Sequence, residues 1–236
     1  MNKSKGSKME STQKYILAPG AFECYGHGWR RLWKNFLELF VIFLIFNFTS
    51  QVISIFFIPM YFSAFFENEP DFIIFLIFFI AIASILAIAF MFFVLKPMQF
   101  GLSYLNLKAS RGEKFEIKEL FSPFKDYWNV VFAGFLTTVI VGFGTLFLII
   151  PGIILACKLI FVPYIVLDKK MNATDAIKES WNMTDGHAWT VFGMGLLAAP
   201  IVLAGYICFF VGVIISMMWI YIAFASLYHA VRLEKG

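Results

Sequence analysis

Apolar positions gather into six runs, Phe36–Ile58, Phe72–Leu95, Trp128–Ile149, Pro151–Leu167, Trp189–Tyr206 and Val211–Tyr228. A bilayer core of about 30 Å takes roughly 20 helical residues, which is the length of most of these runs. Phe72–Leu95 is interrupted by one polar residue, Ser84. No run shows the alternation of polar and apolar residues that a barrel strand needs. Two stretches set the count. Ala188–Tyr228 is 41 residues without a formal charge, twice one span, so it folds back, and Gly205 to Gly212 is the expected hairpin. Tyr127–Leu167 is equally long, and Pro151–Gly152 is its expected break, because proline lacks an N–H and glycine relaxes the backbone. The pattern predicts an all-α fold, a polytopic six-span transmembrane helical bundle of three helical hairpins. It fills residues 21–236 as one transmembrane domain, behind a polar leader, 1–20, expected to be disordered and cytoplasmic.

Charge adds orientation. Lysine and arginine fall in Lys3–Lys34, Lys96–Lys125, Lys169–Lys178 and Arg232–Lys235, with Lys158 as the exception. The loop Pro59–Asp71, of opposite parity, carries Glu67, Glu69 and Asp71 and no cation. That asymmetry places both termini in the cytoplasm. At 61% hydrophobic and 14% charged the chain is too apolar for an ordinary soluble domain. A net charge of +4, spread over four segments with no dense basic run, gives no reason to expect nucleic acid. Cys157 and Cys208 lie in or between spans, Cys24 lies on the reducing side, and no disulfide is expected.

A weak repeat accompanies the spans. Segments 23–40, 117–135 and 177–195 each mix polar and aromatic residues ahead of an odd-numbered span. The first and third align at an offset of 152, setting Gly28 on Ser180 and Trp29 on Trp181; the second and third align at 61, setting Trp128 on Trp189. Five of the six tryptophans sit in or beside these segments, where amphipathic rings suit the headgroup level. Each is read as a cytoplasmic interfacial helix before a hairpin. In the third, Ile177 and Trp181 are four apart on one face and are expected to be buried in membrane or protein, while Lys178 and Glu179 face water.

Candidate chemistry is sparse. Glu23, Cys24 and His27 make at most half a metal site, since a structural zinc needs four ligands, and no metal or cofactor is expected. No nucleophile elbow, phosphate-binding loop or paired-histidine zinc motif occurs, so no catalytic residue is assigned. Asp168, Asp175, Glu179 and Asp185 gather near His187 in the sequence and read as a surface balanced by Lys169, Lys170 and Lys178. Gly142, Gly144, Gly193 and Gly195 are expected to admit close helix contacts. Pro163 and Pro200 are in-span breaks that free the carbonyls of Leu159 and Leu196. Lys158 lies seven residues after Pro151 and ten before Asp168, which on a straight helix puts it near mid-depth. A lone charge there costs on the order of 3 kcal/mol. Its expected partners are the polar face of Asn47 and Gln51, continued by Ser54, or the freed carbonyl of Leu159; Glu38, nearer the cytoplasmic face, is the poorer partner. Lys158, Asn47 and Gln51 are therefore the candidate binding residues.

From Lys96 onward the chain resembles the YciC-like family of bacterial integral membrane proteins. The likeness rests on Gly101, Tyr104, Arg111, Gly112, Glu113, Leu120, Phe121, Phe124 and Lys125, on the Pro151-Gly152-Ile153-Ile154 turn, and on the segment from Ala176 to Trp189. A looser similarity reaches the membrane domains found beside glycerophosphodiester phosphodiesterases. The resemblance implies a multi-pass protein of the bacterial plasma membrane with no catalytic residues to carry over. The leading expectation is a non-enzymatic, lipid-associated scaffold or accessory subunit. Two alternatives stay open, a small transporter or channel subunit with a polar path around Lys158, and an enzyme of membrane lipid metabolism. Membrane lipids are the expected partners, with a protein partner or a second copy.

Overall fold

The computed structural model describes residues 17–55, 70–207 and 209–235. All regular structure among them is helical: α1 (Ala21–Lys34), α2 (Phe36–Ile55), α3 (Pro70–Phe90), a π-turn (Met91–Leu95), α4 (Lys96–Arg111), a 3-10 helix (Ile117–Asp126), α5 (Tyr127–Phe147), α6 (Ile149–Leu159), α7 (Val162–Asp168), α8 (Ala173–Thr184), α9 (Ala188–Ile207) and α10 (Phe209–Lys235). Six helices, Phe36–Ser54, Ile74–Arg111, Ile117–Phe147, Ile149–Asp168, Ala188–Ile207 and Val211–Lys235, are long and apolar enough to cross a membrane. Most of the leader 1–20 and most of the acidic loop Pro59–Asp71 lie outside the described residues.

The second and last spans run further than the apolar pattern indicates. α3, the π-turn and α4 form one uninterrupted helix from Pro70 to Arg111, and the cause of its irregularity is Pro97. Proline lacks the N–H that would reach the carbonyl of Phe93, so the turn before it widens. The Tyr127 hydroxyl donates to that carbonyl at 2.9 Å and replaces the missing bond. Pro163 acts more strongly. The fourth run breaks at Ile160–Phe161, and α7 restarts with Pro163 in its first turn, where the missing N–H costs nothing. α9 by contrast continues through Pro200. The break between the third and fourth spans falls at the extended residue Leu148, ahead of the expected Pro151–Gly152, which lies in the first turn of α6.

Packing is concentrated at one end. α7 contributes Val162, Tyr164, Ile165 and Val166, all buried, to a core shared with α1, α4, α5, α8 and the C-terminal half of α10. This is the end that carries the charges of α4, α8 and α10. At the other end the apolar helix tips stand open: Leu146, Phe147, Ile149 and Ile150 are exposed, and Ile207 is 84% exposed. Close backbone contacts follow the same division only in part. Of the four glycines expected to admit neighbours, Gly144 does so, meeting Gly152 across the α5–α6 hairpin, whereas Gly142, Gly193 and Gly195 have nothing within 4 Å of a Cβ position. Periodicity could not tell them apart, since all four are equally helical. The tightest contact is elsewhere: a Cβ on Gly101 would lie 2.1 Å from the carbonyl oxygen of Leu120, so the 3-10 helix rests directly on the α4 backbone.

The repeat is visible in the element order, α1 then α2–α3, the 3-10 helix then α5–α6, and α8 then α9–α10. Its aligned positions do equivalent work. A Cβ on Gly28 would sit 3.1 Å from the backbone nitrogen of Ala223 on α10, and Ser180 is fully buried, donating to the Lys158 carbonyl at 2.8 Å. Each is the small residue at a helix crossing, followed by a half-exposed tryptophan, Trp29 or Trp181. The face of α8 that packs on the protein lies beside the Ile177–Trp181 face. It is Ala173, Ala176, Ser180, Met183 and Thr184 that pack inward, while Ile177 is partly buried and Trp181 is 42% exposed. Small residues win the face because α8 lies directly against the ends of α6 and α7. Nor is α1 only a surface anchor. The Tyr25 hydroxyl donates to the carbonyl of Met194 at 2.9 Å, and the Trp219 indole N–H donates to the carbonyl of Tyr25 at 2.8 Å.

Candidate functional site: an aspartate held by two arginines

Three helix C-termini converge in the packed end. Arg111 is the last residue of α4, which Gly112 terminates with a φ of 76°. Asp168 is the last residue of α7, and Arg232 sits in the final turns of α10. Cations suit this position, because a helix C-terminus carries partial negative charge, and a carboxylate does not. Asp168 is held there by its neighbours. Arg111 grips both carboxylate oxygens in a fork, 2.7 Å to each; Arg232 reaches the second oxygen, and the Tyr228 hydroxyl donates to it at 3.0 Å. The Asp168 side chain is 7% exposed. Tyr228 is fully buried, stacked on Tyr164 with centroids 5.2 Å apart and edge-on to Phe161. The node therefore joins α4, α7 and α10 through a buried carboxylate and a bidentate charge-assisted pair, the strong form of such a bond.

Beside it opens a cleft of about 590 Å³ between α8 and the end of α10, bordered by Arg111, Lys169, Arg232, Lys235, Glu179 and His229. Lys169 pairs with Glu179 at 2.5 Å, and the Lys235 ammonium donates to the carbonyls of Asn182 and Asp185. The Nδ1 of His229 is buried and has no hydrogen-bond partner among the described residues.

Lys158 is not where a straight fourth span would put it. Because the run breaks at Ile160–Phe161, its ammonium pairs with Asp185 and lies over the Trp181 ring, 5.3 Å from the centroid. The lysine hydrogen bond holds the Asp185 carboxyl below the usual carboxylate range. The expected contact with Asn47 and Gln51 is absent: the Asn47 side-chain amide donates to the carbonyl of Phe43 in its own helix, Ser54 donates to Gln51, and Gln51 is exposed. Nor does Lys158 turn to the Leu159 carbonyl. It is the carbonyl of Lys158 itself that is covered, by Ser180 and more distantly by Thr184. Glu38 lies apart, on an acidic opening of about 490 Å³ with Glu113, Glu116 and Glu119.

The acidic group near His187 also separates. Asp168 turns to its arginines, Glu179 to Lys169, Asp185 to Lys158, and His187 approaches Glu234 at 3.4 Å. Cys24 and His27 do not face a shared point. Cys24 is buried near the carbonyl of Ala18, and burial with the neighbouring Glu23 pushes its thiol up to about 12. His27 stands 3.1 Å from the Ser226 hydroxyl, and the Arg31 Nε–H donates to its Nε2 at 3.5 Å. Burial, Arg31 and Arg30 lower the imidazole to about 4, so it is neutral near pH 7.

Sequence reasoning missed the Asp168 node, whose members lie 57, 60 and 64 residues from the aspartate. A usable signal did exist, an Asp and an Arg each closing an apolar helix. It missed Asn129 as well. That side chain accepts from the Ala173 N–H at 2.8 Å and donates to the carbonyl of Met171 at 3.0 Å, capping α8 where its own Asn172 makes no side-chain cap.

No curated protein and no solved structure matches the chain. Residues 131–233, which include Asp168, Tyr228 and Arg232 but not Arg111, match the model of the membrane domain of glycerophosphoryl diester phosphodiesterase, so that this integral membrane protein is similar to that membrane domain over the later part of its third span and the three spans that follow.

Proposed function

We propose that this chain is a non-enzymatic scaffold or accessory subunit, lipid-associated and of YciC-like kind, set in a bacterial plasma membrane with both termini cytoplasmic. One observation carries the reading, the closed pairing of Asp168. A general base or nucleophile needs a lone pair directed at an open substrate position. Here the carboxylate oxygens are taken by two guanidinium groups and a phenol, and the same bonds tie three helices together. That is a fastening. The Lys158–Asp185 pair removes the unpaired mid-span charge that motivates a transport path. The orientation follows from the distribution of lysine and arginine. Exposed apolar tips favour lipids, a second copy or another membrane protein as partners, and nothing in the charge pattern favours nucleic acid.

The purified protein in phospholipid vesicles is expected to release no water-soluble phosphoester and to conduct no solute above protein-free vesicles. Turnover or flux in that assay overturns the scaffold reading. Orientation is read by single cysteines in a background without the native ones. Leu148→Cys, at the charge-free end, is expected to react with an impermeant reagent in intact cells, and Asn172→Cys only after permeabilisation. Equal reaction of both in intact cells removes the assigned topology.

A further inference from the structure

The cleft beside Asp168 is unbalanced in charge. Arg111, Arg232, Lys169 and Lys235 meet there against three carboxylates, Asp168, Glu179 and, 3.8 Å from Arg111, Glu113, an excess of one positive charge on partly enclosed ground. Arg31 of α1 adds its field to the same His229 ring. Cations drawn together without matching anions repel, and the low local dielectric strengthens that repulsion. His229 lines the cleft, while its Nδ1 is buried away from the opening. The excess charge is met by one occupant, an anion with several acceptor oxygens. Guanidinium forks and ammonium groups fit phosphate oxygens well. A volume of about 590 Å³ leaves room for a phosphate that carries a substituent.

We propose that this cleft binds a phosphate ester, free or at the head of a lipid, through Arg232, Lys169 and Lys235, with His229 at its wall. The inference deepens the scaffold reading and rests on it for the lipid source. The test begins with thermal unfolding in neutral detergent, with inorganic phosphate compared against chloride at equal ionic strength. It continues with native mass spectrometry from nanodiscs that mix phosphatidylglycerol with phosphatidylcholine. Phosphate is expected to stabilise the wild-type protein. The half-saturating concentration should rise about fivefold to tenfold in Lys235→Gln, the loss of one charge-assisted contact. Lys169→Gln should shift it in the same direction, and Lys118→Gln, an exposed lysine elsewhere, should not. Stabilisation by inorganic phosphate assigns a free ester. Retention of phosphatidylglycerol over phosphatidylcholine, lost in Lys235→Gln and without an effect of inorganic phosphate, assigns the lipid headgroup. No preference for phosphate over chloride together with no preference between the lipids overturns the proposal, as does an equal response of Lys235→Gln, Lys169→Gln and Lys118→Gln. Turnover in the vesicle assay would sink the scaffold reading while leaving this comparison intact.

Discussion

The two ends of the bundle are built on different principles. At the charged end, α1, α4, α7, α8 and the last turns of α10 enclose a dense core, and long-range side-chain hydrogen bonds cross it from Tyr25, Trp219, Asn129, Ser180 and Arg111. At the other end, Leu146, Phe147, Leu148, Ile149, Ile207 and Val211 stand exposed around short connections. Hydrophobic residues there face neighbours no more apolar than lipid, so burying them against each other gains little. The fold is fastened through polar side chains at the charged end and left to apolar contact at the other. The difference teaches that apolarity in this chain marks location, while polar side chains mark cohesion.

The sharpest challenge to this comparison is the Asp168 node. Asp168→Ala leaves two arginines facing each other in a buried site and is expected to cost about 3–5 kcal/mol. Thermal unfolding in detergent should register it, whereas Phe147→Ala at the open end should move stability by less than about 0.5 kcal/mol. Comparable losses from the two substitutions would dissolve the distinction between the ends. A second pair sets glycine against glycine. Gly101→Ala forces a methyl group into the Leu120 backbone, and overpacking of this kind costs about 1–3 kcal/mol. Gly193→Ala meets nothing and should be neutral or stabilising by up to about 1 kcal/mol through helix propensity alone.

His27 sharpens the comparison through pH. Its imidazole titrates near 4 when folded against 6.5 when free, so between these values the unfolded chain binds a proton that the folded chain does not. Stability is unaffected above pH 6.5 and declines as pH falls toward 4. Because the ring is only partly buried, the loss should be on the order of 1 kcal/mol. His27→Gln should flatten that part of the profile, and an unchanged slope would remove His27 as its source. The smallest effect is expected at Lys158. Its partner Asp185 is 63% exposed, and exposed pairs contribute little, so Lys158→Met should leave the protein abundant and little changed in midpoint. A collapse of expression would show the pair to be as essential as the Asp168 node.

Six helices, their order and the charge asymmetry were legible in the sequence because a bilayer imposes length and apolarity locally, span by span. Even the repeat was legible, since Gly28 and Ser180 align and both prove to be crossing residues. What a single run cannot express is where its neighbours lie. Lys158 reads as a mid-membrane charge on any straight helix, and only the break at Ile160–Phe161 and the docking of α8 bring it to Asp185. Gly101 and Gly193 look alike along the chain, yet one touches a carbonyl and the other touches nothing. Asp168 and Arg111 are 57 residues apart and meet because two helices end at the same point in space. The sequence by itself determined the spans, because burial in lipid is a property of each segment; the tertiary structure alone decided the partners, because electrostatic pairing depends on distances that no local period encodes.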